Sequence, residues 1–325
     1  MDISVYLPEA VLTNRMLAEK FPEWSAEKIR AKLGIESRHV AAPDETGLDM
    51  AVRACEPLLR DGRDRDIDFI LYCTQSPDYP LPTTACILQD KLHLSQCLGA
   101  YDYNLGCSGY IYGLAQAKGL LTAGIARKVL LVTSETYTKY INEHDRGNRS
   151  IFGDAATATV LTSDGWRIGE FVLGTDGGGM GNLIVRNGGA RSPQRPDAEL
   201  HRYSNGDSTD NDLFMDGAEI FNFTLDRVPR MIAETLEKNS LTVGDVDMFV
   251  LHQANSFILE TLRKAMRIPG EKFVIDMADT GNTVSSSIPL ALRRAADRGD
   301  VVPGNKVLLC GFGVGYSFGA VVLTV

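Results

Sequence analysis

The chain has 325 residues, 44% of them hydrophobic, 23% charged and 8% aromatic, with a mean hydropathy of −0.08. That is more chain than one hydrophobic core usually organises, so two fused units are expected, and the balance excludes disordered, collagen-like and coiled-coil classes. Lys and Arg number 33 against 42 Asp and Glu, a net charge of −9 that argues against nucleic acid as the main partner, because phosphate binding needs a cationic face.

In chain order, Met1-Asp2-Ile3-Ser4-Val5-Tyr6-Leu7-Pro8 lacks a basic leader followed by an apolar run, so no signal peptide is expected. No segment nears the roughly 20 apolar residues of a membrane span. Asp66-Ile67-Asp68-Phe69-Ile70-Leu71-Tyr72-Cys73 is an apolar run after two acids and predicts a buried parallel strand. Asn104-Leu105-Gly106-Cys107 opens a helix-like stretch carrying Ile111, Leu114, Ala115 and Leu121, stopped by Gly124. Lys128-Val129-Leu130-Leu131-Val132 predicts the next strand. Residues 186–212, rich in Gly, Pro, Asn, Asp and Ser, predict a long surface insertion of the kind that forms lids or pocket walls. Asp245 to His252 repeats the form of 66–73. Asp279-Thr280-Gly281-Asn282 opens a second helix-like stretch with Ile288, Ala291, Leu292 and Ala295, stopped by Gly299, and Lys306-Val307-Leu308-Leu309-Cys310 is a further strand.

The last three segments match the earlier three in order, displaced by 179 residues (Cys73 to His252), 175 (Cys107 to Asn282) and 178 (Lys128 to Lys306). This predicts a duplicated α/β unit with its join near 163–170, that is, halves 1–166 and 167–325. Gly109, Gly113 and Gly119 in one half and Ser285, Ser286 and Ser287 in the other predict two central helices packed together in a shared middle layer.

The repeat also selects the chemistry. Cys107, His252 and Asn282 occupy equivalent strand-end or turn positions, and ligands gather at the carboxyl ends of strands in such sheets. A thiol at a helix N-terminus is expected to feel the dipole and free N–H groups that favour thiolate, and the same N–H groups suit an oxyanion. The six cysteines (55, 73, 86, 97, 107, 310) form no CxxC pair and predict reduced thiols in a cytoplasmic protein, most of them buried. Gly311-Phe312-Gly313-Val314-Gly315 lacks the sixth glycine and following helix of a dinucleotide loop. Asp176-Gly177-Gly178-Gly179-Met180-Gly181 lacks the ending of a phosphate loop. Five scattered histidines show no ligand spacing, so neither a metal nor a nicotinamide cofactor is expected.

Asn104-Leu105-Gly106-Cys107-Ser108-Gly109-Tyr110, His252-Gln253-Ala254-Asn255 and Gly281-Asn282-Thr283 resemble the three active-site motifs of β-ketoacyl-[acyl-carrier-protein] synthase III, of the thiolase superfamily. Asp145-Arg146-Gly147, Phe152-Gly153-Asp154 and the terminal Gly311 to Gly315 with Gly319-Ala320 extend the match over nearly the whole chain. The resemblance implies a five-layered αβαβα fold of two halves with mixed sheets, and a homodimer. It implies that Cys107 takes an acyl group from acyl-CoA, that His252 and Asn282 activate a malonyl thioester by decarboxylation, and that the N–H groups of Cys107 and Val314 hold the acyl oxygen. It places Lys28, Lys32, Arg146, Gly217 and Asn255 against coenzyme A. Leu81 (lent by the partner), Phe152, Leu213, Met215 and Phe312 fall at the acyl pocket, and Arg263 and Lys264 at a docking patch for acyl-carrier protein. Lys28 stands at the spacing of the family's adenine-stacking tryptophan, with Trp24 about one turn earlier, and Phe257 replaces a basic docking residue. Two alternatives stay open: a relative that passes the acyl group to a hydroxyl or amine, and a non-catalytic partner subunit. A thiolase using Cys310 as a second cysteine is disfavoured, because Cys310 ends a strand run and Phe312 holds the motif position.

Overall fold

The computed structural model describes residues 2–60, 66–204 and 206–325. Its first sheet runs Asp2–Tyr6, Ala155–Thr162, Lys128–Glu135, Phe69–Cys73, Gly99–Tyr103, parallel among the last three strands and antiparallel elsewhere. The second runs Met248–Leu251, Lys306–Gly313, Ser317–Thr324, Arg167–Thr175, parallel only in the first pair. Read from Phe69–Cys73 towards Asp2–Tyr6, the first sheet has the order of the second. The fifth position of the second sheet shrinks to one bridge, Phe249 to Phe273.

The repeat reaches single hydrogen bonds. Asp68 precedes one parallel strand, and its carboxylate accepts the N–H of Lys128 at 3.0 Å; Asp247 precedes the other, and its carboxylate accepts the N–H of Lys306 at 2.7 Å. Each acid thus ties down the first amide of the adjacent strand, which explains why the strands start at Phe69 and Met248, after the acids and not on them.

Five layers result. Helices Gly47–Leu59 and Thr84–Lys91 cover the outer face of the first sheet through Met50, Ala54 and Leu88. Helices Gly217–Lys238 and Ser256–Ala265 cover the outer face of the second through Val228, Ile232 and Leu259. Between the sheets lie Gly109–Thr122 and Ser287–Asp297, whose Ile111, Leu114, Ile288 and Leu292 join Leu71, Leu131, Val250 and Leu309 in one core. Parallel strands covered on both faces need continuous apolar sequence, which is why both strand runs read that way.

One expectation needs correction. Of the three helix glycines only Gly109 approaches the serines, its missing Cβ facing Ser285 and the Cys73 thiol; Gly113 instead faces Tyr103 and Leu131 of the first sheet, and Gly119 faces open space. Most of the cysteines are buried, as expected: Cys55, Cys73, Cys107 and Cys310 lie inside, and Cys86 and Cys97 are exposed. Cys86 sits on a helix whose core face is taken by Thr84, Ala85 and Leu88. Strand Ala155–Thr162 belongs to the first sheet and Arg167–Thr175 to the second, so the chain changes sheets between residues 162 and 167. The 186–212 insertion carries a short pair, His201–Tyr203 with Gly206–Ser208.

Candidate active site

Cys107 lies in the turn between strand Gly99–Tyr103 and helix Gly109–Thr122, 5% exposed. The turn is tight because Gly106 has no side chain: a Cβ there would lie 2.6 Å from Gln75 Oε1 and 2.7 Å from Val314 Cγ1. The main-chain N–H groups of Cys107 and Val314 both favour sulfur as an anion. Burial outweighs them and, with the carboxyl of Glu135, pushes the thiol up to about 12. The resting group is therefore a thiol, contrary to the expectation of a thiolate; the helix terminus does not overcome desolvation.

His252 follows strand Met248–Leu251, and its N–H donates to Cys310 O at 2.8 Å. Its ring stands edge-on to Phe312 with centroids 5.5 Å apart, and burial lowers its pKa to about 3, so the imidazole is neutral. Nδ1 lies 2.7 Å from Ser287 Oγ. Next to it, Gln253 donates to Leu251 O and Val274 O and accepts the N–H of Asp276, fixing the strand end.

Asn282 is held at its backbone from both sides, its N–H donating to Ile151 O and its carbonyl accepting the N–H of Gly153. Its Oδ1 accepts the N–H of Val284 at 2.9 Å, which turns the amide nitrogen towards His252 Nε2, 3.4 Å away.

Cys107, His252 and Asn282 line one cavity of about 120 Å³, together with the expected Phe152, Met215, Gly217, Asn255 and Phe312. Leu213 and Val314 face a neighbouring hollow of about 780 Å³, whose wall includes Asn187, Gly188, Gly189, Pro193 and Gln194 of the insertion; Leu183 borders both spaces. Leu81 lines neither and is 80% exposed. Arg146 is held by Glu23 at 2.8 Å and by Ser204 O at 2.6 Å. Lys32 lies over the Trp24 ring, whose Nε1 donates to Ser150, two residues before Phe152. Lys28 is exposed and donates to Glu23 O. Arg263 is bound to Glu260 and Ile268 O on its own helix and its turn, while Lys264 stands exposed. Among the described residues, no three His, Cys, Asp or Glu are gathered to hold a metal ion.

Sequence reasoning missed Ser287 as a partner of His252; it was read only as a small packing residue. It also missed Glu135. That carboxyl ends strand Lys128–Glu135, accepts the N–H of Gln75 and the hydroxyls of Ser76 and Ser285, and is pushed up to about 8 by burial. An acid closing an apolar strand run was the available signal.

Comparison with known proteins identifies the family. The family model 3-oxoacyl-[acyl-carrier-protein (ACP)] synthase III matches residues 101–177, and its C-terminal counterpart matches 236–325. The β-ketoacyl-[acyl-carrier-protein] synthase III of Nitratidesulfovibrio vulgaris (strain DP4) is 37% identical over 327 residues, covering 98% of this chain and 96% of its own. A 2.1 Å crystal structure of a 3-oxoacyl-(acyl-carrier-protein) synthase III superposes with a TM-score of 0.97 at 47% identity, covering 100% of this chain and 98% of its own. The Thermus thermophilus enzyme gives 0.88 at 38% identity, covering 99% and 98%. With its two mixed sheets in a thiolase-like fold and its Cys–His–Asn cavity, this chain belongs to the 3-oxoacyl-[acyl-carrier-protein] synthase III family of condensing acyltransferases.

Proposed function

We propose that Cys107 is the nucleophile, that His252 and Asn282 polarise a malonyl thioester, and that halves 1–166 and 167–325 each supply part of this centre. The Cys107 thiol adds to the carbonyl of acyl-CoA, with the N–H groups of Cys107 and Val314 receiving the oxyanion. The C–S bond to coenzyme A then breaks, and the thiol proton leaves with coenzyme A as its free thiol. A malonyl thioester on acyl-carrier protein follows. Its C–CO₂⁻ bond breaks, carbon dioxide departs, and the electron pair forms an enolate whose oxygen is held by His252 and Asn282. The enolate carbon attacks the acyl-Cys107 carbonyl, the C–S bond to Cys107 breaks, and a 3-oxoacyl thioester forms while the departing sulfur takes a proton from solvent to become the resting thiol again. The observation that carries this reading is the single cavity shared by the three side chains.

Lys28, Lys32, Arg146, Gly217 and Asn255 are assigned to coenzyme A, and Arg263 and Lys264 to the carrier. Phe152, Met215, Phe312 and Leu213 are assigned to the acyl chain, with Leu81 supplied across a homodimer. The exposure of Leu81 and its absence from either hollow of its own chain support that last role. A cytoplasmic location completes the proposal; among the described residues no helix is long and apolar enough to cross a membrane. The test is intact-mass measurement with acyl-CoA, then malonyl thioester. The wild type should gain one acyl group and release carbon dioxide, and Cys107→Ala should gain none. Labelling of Cys107→Ala at the wild-type rate would refute the nucleophile, and loading without carbon dioxide release would point to transfer onto a hydroxyl or amine.

A further inference from the structure

A neutral imidazole carries one proton on one of two nitrogens, and the partner of the other nitrogen decides which. This matters here because His252 is neutral, so only the tautomer with hydrogen on Nε2 can donate to an enolate oxygen in the cavity. The argument therefore rests on the condensing reaction proposed above.

Among the described residues, the partner of Nδ1 is the hydroxyl of Ser287, at 2.7 Å, on a side chain 2% exposed. A hydroxyl has one hydrogen and two lone pairs. Here one lone pair faces the N–H of Gln253 at 3.4 Å, and the hydrogen has two possible acceptors: Nδ1, or Val284 O at 2.9 Å. If it goes to Val284, Nδ1 must carry the imidazole proton and Nε2 turns a lone pair on the cavity, where it accepts from the Asn282 amide at 3.4 Å but repels the developing oxyanion. If it goes to Nδ1, Nε2 carries the proton. Val284 O does not depend on the hydroxyl, because the main-chain N–H of Ser287 already donates to it. The carbonyl thus stays satisfied when the hydroxyl turns to the imidazole.

We infer that Ser287 is a positioning residue that donates its hydroxyl hydrogen to His252 Nδ1 and so fixes the Nε2–H tautomer needed to hold the malonyl thioester oxygen beside Asn282. Ser287 does not touch the substrate; it acts through the ring.

The test separates the half-reactions. Ser287→Ala should load Cys107 from acyl-CoA within about twofold of wild type, because loading does not use the His252 donor. Carbon dioxide release from malonyl thioester by the loaded enzyme should fall on the order of 100-fold, the usual loss when one oxyanion donor is removed. In ¹⁵N-histidine-labelled wild type, with five histidines to assign, His252 should show its proton on Nε2. Ser287→Ala that loads normally and releases carbon dioxide at the wild-type rate overturns the inference, as does a wild-type spectrum with the proton on Nδ1. The spectrum alone decides the matter if Ser287→Ala does not fold. A wild type that loads but releases no carbon dioxide overturns the condensing reading instead, and the ring tautomer is still read independently.

Discussion

Gly311 and Gly313 stand two apart on strand Lys306–Gly313, so both face the turn that carries Cys107. A Cβ on Gly313 would lie 2.8 Å from Cys107 Cβ and 2.9 Å from its Sγ. Non-bonded carbons settle at about 3.5–4.0 Å, so Gly313→Ala forces a displacement of roughly 0.7 Å or more. Overpacking of this kind costs about 1–3 kcal/mol of stability, which a domain stable by about 5–15 kcal/mol survives. The catalytic cost is larger, since misplacing a reacting atom by about 1 Å loses on the order of 100-fold in rate. Gly313→Ala should therefore unfold only slightly below wild type in a thermal melt, yet acylate Cys107 about 100-fold more slowly by intact mass. Gly311→Ala meets main chain instead, Cys107 O and Ser108 Cα at 2.8 Å each, and should lose more stability than Gly313→Ala. Wild-type loading by Gly313→Ala would refute the reasoning, for it would mean that the sulfur has room the structure denies it.

Glu135, raised to about 8, and Asp154, raised to about 6, keep protons that the unfolded chain releases near its ordinary carboxyl range. Their contribution is complete below that range and fades as pH rises through these values, so the melting temperature should fall from pH 5 to pH 9, and Glu135→Gln should flatten the slope. Because burial lowers His252 to about 3, carbon dioxide release by acyl-loaded enzyme should show no step near the ordinary imidazole value between pH 5.5 and pH 8. Glu23 competes for the Arg146 guanidinium, so Arg146→Ala should raise KM for acyl-CoA several-fold while leaving the KM for an acyl-pantetheine unchanged. Glu23→Gln should lower KM for acyl-CoA.

Much of this architecture was legible because the duplicated strands are continuous apolar runs, and their acids and glycines recur at nearly constant displacement. The trio proposed to react was legible for the same reason: each member sits at a strand end or turn that the repeat marks. What escaped was set by depth and by side-chain rotation. Cys107 has a helix terminus beside it, and nothing in its neighbours along the chain shows that burial will raise its pKa. Ser287 is one of three adjacent serines, and only the packing of Ser287–Asp297 between the sheets turns it towards His252 while Ser285 turns to Glu135. The partners of Arg146 come from residues 23 and 204, far from it in the chain.

The amide of Val314 makes the proposed oxyanion site depend on a hairpin more than 200 residues from the sulfur in the chain. That amide sits just beyond strand Lys306–Gly313, whose position is fixed by its pairing with Ser317–Thr324. Opening this hairpin would leave the Cys107 thiol in its turn without the N–H group proposed to receive charge from an attacked carbonyl, so the proposed chemistry is tied to an intact edge-to-edge seam between two strands that carry no reacting side chain.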